Sequence, residues 1–382
     1  MPQLKTINYK FLLYLYNAAF LKRWNDQVRA VDFREIDKQA QKFIIAYLIG
    51  KMSPVKSFDW HKLIEAGVFE FLQRLTLTDF KPQLFHRIEK DVKTYKELIN
   101  YSKEELDQYF IDKKFLDAYE KYLLDKINAP TIYHRIMDAA NYLASWEEFV
   151  VIQRTNPDGY DIAEIEQDLT ASIKKATSHL KSAKEVENDP KLRRFIQLCG
   201  QLRYQIRWSH TYRVPETSVL GHMLIVAIIT YLLKSRNDEV DVCFNNFFTA
   251  LFHDLPEALT RDVIRPIKQV GKMSDLVKKF EHDEMKRRVY PLLPPNIAED
   301  IKYFTVNEFT VQEKNGRILR NGDLIKAIDH LAAYLEAYLA LQNGITNKKL
   351  SEARISLTHM YAGKIICGVD FGVLYKALEK NF

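Results

Sequence analysis

"FHDLPEALTRD", residues 252–262, closes a strongly apolar run that begins at Phe244. A His and an Asp stand side by side at the end of that run. Glu257 follows four residues after His253, and Asp262 five beyond that. Charged side chains are rarely buried without a partner, so these four need something to hold them. Pro256 disfavours the α conformation in the residue before it. The helix should therefore end or kink near Asp254 or Leu255, with Glu257 and Asp262 projecting from the turn.

Two further segments raise the same demand. His222 opens "HMLIVAIITYLLK" (222–234), and Asp329 is embedded in "DLIKAIDHLAAYLEAYLAL" (323–341). Both carry apolar residues at helical spacing, as does "KFIIAYLIGK" (42–51). Three helices that want one core must bring their polar residues together inside it. Two imidazoles and two carboxylates, from His222, His253, Asp254 and Asp329, would each be costly alone. A divalent cation satisfies them together. That ligand set suits Mn, Fe, Co, Ni or Zn better than Mg, and on an octahedral ion it leaves open positions for water and substrate.

The ordered pieces "RWSHTYRVPETSVLGH" (207–222), "HDLPEALTRDVIRPIK" (253–268) and "IKAIDHLAAYL" (325–335) resemble the HD-domain phosphohydrolases, and most closely their bacterial 5′-deoxynucleotidase branch. The resemblance covers roughly residues 200–345. It implies that His222, His253, Asp254 and Asp329 are the metal ligands. It implies that Arg207 grips the substrate phosphate and that Trp208 packs on the sugar and selects the deoxy form. Glu257 would be the general acid or base, Asp262 would sit near the substrate or the attacking water, and Thr260 would be a further phosphate contact. The reaction implied is hydrolysis of a (deoxy)nucleoside 5′-monophosphate by metal-activated water. The alternatives are a triphosphohydrolase or another phosphoesterase on the same site, and a non-catalytic nucleotide-binding regulator. The chain departs from the branch at Gly221, where an acidic residue is expected, and at Pro215. His282 lies in the charged "KKFEHDEMKRR" and reads as surface. His330 should point to a different face of its helix from Asp329.

The chain also resembles itself. With a shift of 184 residues, 23–48 lies on 207–232 without a gap and with seven identities, beginning with the paired Arg-Trp. With a shift of 183, "FEFLQRLTLTDF" (69–80) lies on "FHDLPEALTRDV" (252–263). A weaker match puts 136–148 on 325–337. The expected architecture is all-α: a tandem duplication with a degenerate HD-like half over residues 1–180, a polar linker within 181–192, and a catalytic HD domain over 193–382. In the first half Lys38 replaces His222, Glu70 and Phe71 replace His253 and Asp254, Arg74 replaces Glu257, and Ala140 replaces Asp329. Arg23, Trp24 and Asp79 keep their chemistry. Such a half would be a built-in partner, giving an intrachain pseudo-dimer or, between chains, a homodimer.

Composition agrees with this. Of 382 residues, 47% are hydrophobic and 28% charged, and Gly and Pro number only 12 each, which favours helices over turn-rich sheet. A net charge of +6 suits a small phosphorylated ligand and is too mild to argue for nucleic acid. Cys199, Cys243 and Cys367 form no CxxC pair, so a reduced, cytoplasmic setting is expected. The apolar run 11–21 is too short to span a membrane.

Overall fold

Helix α1, Glu35–Lys51, carries six polar or charged residues that are all buried, among them Glu35, Lys38 and Lys42. Such groups survive burial only when paired. In a computed structural model of the chain, which describes residues 6–77, 80–233, 240–261, 263, 267 and 270–380, they are. Arg23 and Arg74 bridge Glu35, Lys42 pairs with Glu70, and Lys38 donates to Asn141. Arg74 and Glu70 come from the helix α2, Trp60–Thr76, Asn141 from α3, Ile132–Thr155, and Arg23 from the ribbon that leads into α1. Gly67 lets α1 and α2 approach closely, since a Cβ there would fall 2.2 Å from the Phe43 ring. The chain enters α1 through a minimal ribbon, β1 (Lys22–Arg23) against β2 (Phe33–Arg34), with Lys22 opposite Arg34.

The chain divides into two compact units, Met1–Lys184 and Glu185–Phe382. The polar stretch 181–192 is itself helical: one helix covers Lys181–Asn188, and the next, Pro190–Gly200, is capped by Asp189. The fold is all-α. Its strands, among the described residues, form only short two-stranded ribbons.

The second unit is built on α4, Val219–Leu232, whose fourteen residues are all buried. A helix apolar all round belongs in the centre of a core. The Ser218 side chain caps it by accepting from the Gly221 amide at 2.8 Å. The chain is pinned on entry by Arg207 N–H to Thr217 O and Val219 N–H to Gln205 O. Helices α5 (Val240–Phe252) and α7 (Gly322–Gln342) both pack on α4 and on each other. Between them in the chain comes α6, Met273–Glu284, which packs on the Glu257–Thr260 turn and carries the exposed His282. The fully buried Arg320 gathers the loop before α7, donating to the carbonyls of Tyr303, Asn307 and Thr310. Gly322 is required there, because a Cβ would lie 2.4 Å from the Phe309 and Thr310 backbone. Among the described residues, no helix is long and apolar enough to cross a membrane.

Candidate metal centre

The packing of α4, α5 and α7 brings the three polar residues together. His222 lies one turn into α4, His253 follows the last residue of α5, and Asp329 lies two turns into α7. One ligand atom from each of His222, His253 and Asp329 falls within 4.8 Å of the others. His222 Nε2 is 2.9 Å from Asp329 Oδ1, and His253 Nε2 is 3.9 Å from the same atom. Asp254 Oδ2 sits 3.2 Å from His253 Nε2 and 3.9 Å from His222 Nε2. Ligands about 2.0–2.2 Å from one ion stand roughly 3–4 Å apart, and these separations fall in that range.

The donor chemistry fits a cation as well. His253 Nδ1 is 2.8 Å from the Ala250 carbonyl, so it carries the proton and donates. Nε2 faces the cluster, buried and 3.2 Å from Asp254 Oδ2, and is the nitrogen available to an ion once it gives up its proton. A backbone carbonyl that fixes the tautomer in this way is the usual support of a metal-bound imidazole. Burial would lower the His253 pKa, but Asp254 and Asp329 outweigh it and hold the ring up at about 9. The same carboxylate field would attract an ion. Asp254 is held below the usual carboxylate range, with His253, His222 and Arg207 overcoming burial.

Arg207 borders the cluster, with Nη1 3.6 Å from Asp254 Oδ2. Its Nε reaches Glu336 Oε2 at 3.3 Å, and the Trp208 indole Nε1 donates to that same oxygen at 2.8 Å. Glu336 Oε1 accepts from the Thr217 hydroxyl at 2.6 Å, which in turn accepts from Arg213. Trp208 adopts φ 60° and lays its ring on Ala337, Ala340 and Leu350.

The helix ends at Phe252, slightly before the expected Asp254 or Leu255. A separate turn, Glu257–Thr260, follows it. Glu257 is buried, with its charge close enough to act on Arg207. Thr260 donates to Glu281 of α6 at 3.0 Å, so its hydroxyl is already committed. Asp262 and Asp79 lie outside the described residues. His330 turns away from Asp329 to meet the Tyr361 hydroxyl at 2.9 Å.

Sequence reasoning missed three contributors. Glu336 looks like one more polar position on an amphipathic helix. Yet it lies seven residues after Asp329, two turns on and on the same face, and that spacing was the available signal. Glu308 comes from the loop gathered by Arg320. Burial pushes its carboxyl above the usual range, with His253 and Asp254 among its charged neighbours. The Phe309 ring lies 6.0 Å from that of His253, tilted by 52°. Neither loop residue belongs to a periodic pattern, and no signal marked them.

Comparison with known proteins agrees with this geometry. Residues 199–363 match the family model described as HD domain. A 5′-deoxynucleotidase of Pasteurella multocida is 26% identical over 178 residues, covering 43% of this chain and 83% of the relative. A 5′-deoxynucleotidase of Pectobacterium atrosepticum is 26% identical over 169 residues, covering 43% and 81%. A 4′-phosphooxetanocin A phosphatase of Priestia megaterium is 22% identical over 154 residues, covering 39% and 74%. No solved structure matches. Residues 199–363 of the second unit form an HD domain. Within that class it is related to the 5′-deoxynucleotidase branch.

Proposed function

We propose that the second unit hydrolyses the phosphomonoester of a (deoxy)nucleoside 5′-monophosphate, using one divalent metal ion held by His222, His253, Asp254 and Asp329. The observation that carries this reading is the convergence of His222, His253 and Asp329 within 4.8 Å, beside an arginine 3.6 Å from Asp254. A cluster of imidazoles and carboxylates suits Mn, Co, Fe, Ni or Zn. A guanidinium next to it matches phosphate oxygens. The names of the relatives, 5′-deoxynucleotidases and a 4′-phosphooxetanocin A phosphatase, support a phosphomonoester as the substrate class.

When bound, the ion supplies Lewis acidity and lowers the pKa of coordinated water. The remaining steps belong to side chains. Arg207 orients the phosphate, held in place through Nε by Glu336. Trp208 offers its ring to the sugar while its indole N–H stays on Glu336. Glu257 exchanges the proton of the attacking water or leaving oxygen through its carboxylate. Asp262, five residues after Glu257 in the sequence, is assigned to the substrate side.

The test is phosphate release from a panel of nucleoside mono- and triphosphates, with chelator-stripped protein reloaded with Mn, Co, Ni, Zn or Mg. Release from deoxynucleoside monophosphates, absent in His253→Ala, is expected. Release of pyrophosphate or triphosphate instead would move the cleavage point. No release from protein that still binds one ion would overturn the nucleotidase reading.

A further inference from the structure

We infer that the first unit is a second copy of the same scaffold, in which lysine side chains occupy the place the metal ion takes in the second. The inference rests on the metal reading of the second unit given above. No relative or family match described above extends over the first unit as a whole.

The backbone carries the first argument. Trp24 adopts φ 56° and Trp208 φ 60°. A bulky residue in this left-handed region is a genuine outlier, and each of these two follows an arginine. Each indole Nε1 donates at 2.8 Å to a fully buried glutamate, Glu148 in the first unit and Glu336 in the second. Each arginine Nε reaches the same oxygen, Arg23 at 2.9 Å and Arg207 at 3.3 Å. The pairing on entry repeats too. Lys22 lies opposite Arg34, and Ile206 bridges Ser218, both offset by 184 residues. The next residue begins a long buried helix in either unit, Glu35 in one and Val219 in the other.

The matched glutamates correct the alignment of the third segment. They fix its offset at 188 residues, so the counterpart of Asp329 is Asn141 and not Ala140. Lys38 stands for His222 and donates to Asn141, where His222 meets Asp329. Glu70 stands for His253 and pairs with Lys42. The two imidazole contacts that an ion would organise in the second unit are direct lysine contacts in the first, and Phe71 in place of Asp254 offers no further ligand. Lys38 is 3% exposed and Lys42 1%, so they fill the interior without solvent.

The phosphate grip is closed by the same exchange. Glu35 stands for Val219 and holds Arg23 Nη1 at 2.7 Å, while Arg74, in place of Glu257, bridges Glu35 at 3.3 Å. The arginine that faces the metal centre in one unit is neutralised by an internal acid in the other. The chain thus has one centre, and its first unit is a metal-free copy.

The test is a crystal structure of the Mn²⁺-loaded full chain, with anomalous scattering to place the ion. One peak per chain is expected, among His222, His253 and Asp329. Superposing Arg23, Trp24 and Glu148 on Arg207, Trp208 and Glu336 should then bring that peak onto the Lys38 side chain. A peak in the first unit, or a superposed ion far from Lys38, would overturn the inference while leaving the second unit's metal site intact. A peak in neither unit would instead sink the metal reading on which it stands. Elemental analysis of the same protein gives an independent count: one equivalent in the parent chain and none in His253→Ala. A second equivalent that survives His253→Ala would also overturn it.

Discussion

The indole Nε1 of Trp208 donates to Glu336 Oε2 at 2.8 Å, and the same oxygen receives Arg207 Nε. Two residues proposed to meet the substrate are therefore set by one carboxylate, itself fully buried. Removing a partner from such a cluster leaves uncompensated buried charge, which costs about 3–5 kcal/mol. Glu336→Gln should keep the shape, retain the ion and lower kcat/KM by roughly 10–100-fold, an effect of about 1.4–2.8 kcal/mol on the transition state. Steady-state kinetics with metal analysis on the same sample checks this. Unchanged kinetics would mean that Arg207 and Trp208 hold their positions without it.

Glu257 is proposed for proton transfer and not for binding. Glu257→Gln should reduce kcat by about 10²-fold or more with little change in KM. A rise in KM at constant kcat would make it a binding residue.

Glu70 provides a pH test in the first unit. Burial would raise its pKa, but Lys42 and Lys126 outweigh burial and hold it down to about 2. A carboxyl whose folded pKa is depressed stabilises the fold above its unfolded pKa of about 4.3, and that contribution is lost as pH falls through the folded value. Glu70→Gln should therefore be less stable than the parent at neutral pH, and the gap should close between about pH 4 and pH 2. Urea midpoints across that range measure it. A gap constant with pH would show that Glu70 makes no such contribution.

Arg320 acts on the fold and the centre together. It donates to three carbonyls of the loop that holds Glu308 and Phe309 against His253. Arg320→Met should destabilise the protein by about 3 kcal/mol or more, because each buried acceptor left unpaired costs about 1–3 kcal/mol. Thermal unfolding of the variant would show the loss. A shift under a degree would mean that water replaces the guanidinium.

Much of the centre was legible in the chain. His222, His253 and Asp329 sit on segments whose apolar periodicity demands burial, and three buried helices with polar residues must bring them together. Periodicity also gave the all-α class, since it reports local geometry directly. The paired Arg-Trp is what pointed to the inferred internal repeat. What periodicity cannot report is which polar residue on a helix finds a partner far along the chain. Along the chain only its spacing from Asp329 singles out Glu336, whose partner Trp208 lies 128 residues away and donates to it across space. On the inferred duplication, the counterpart of Asp329 moves by one residue, from Ala140 to Asn141, because two amphipathic helices align almost equally well at neighbouring registers. Only a shared tertiary contact, a buried glutamate gripping an Arg-Trp pair, distinguishes one register from the next. The sequence by itself determined which residue types had to be buried. The tertiary structure alone decided their partners, because desolvated charges are satisfied across space and not along the chain.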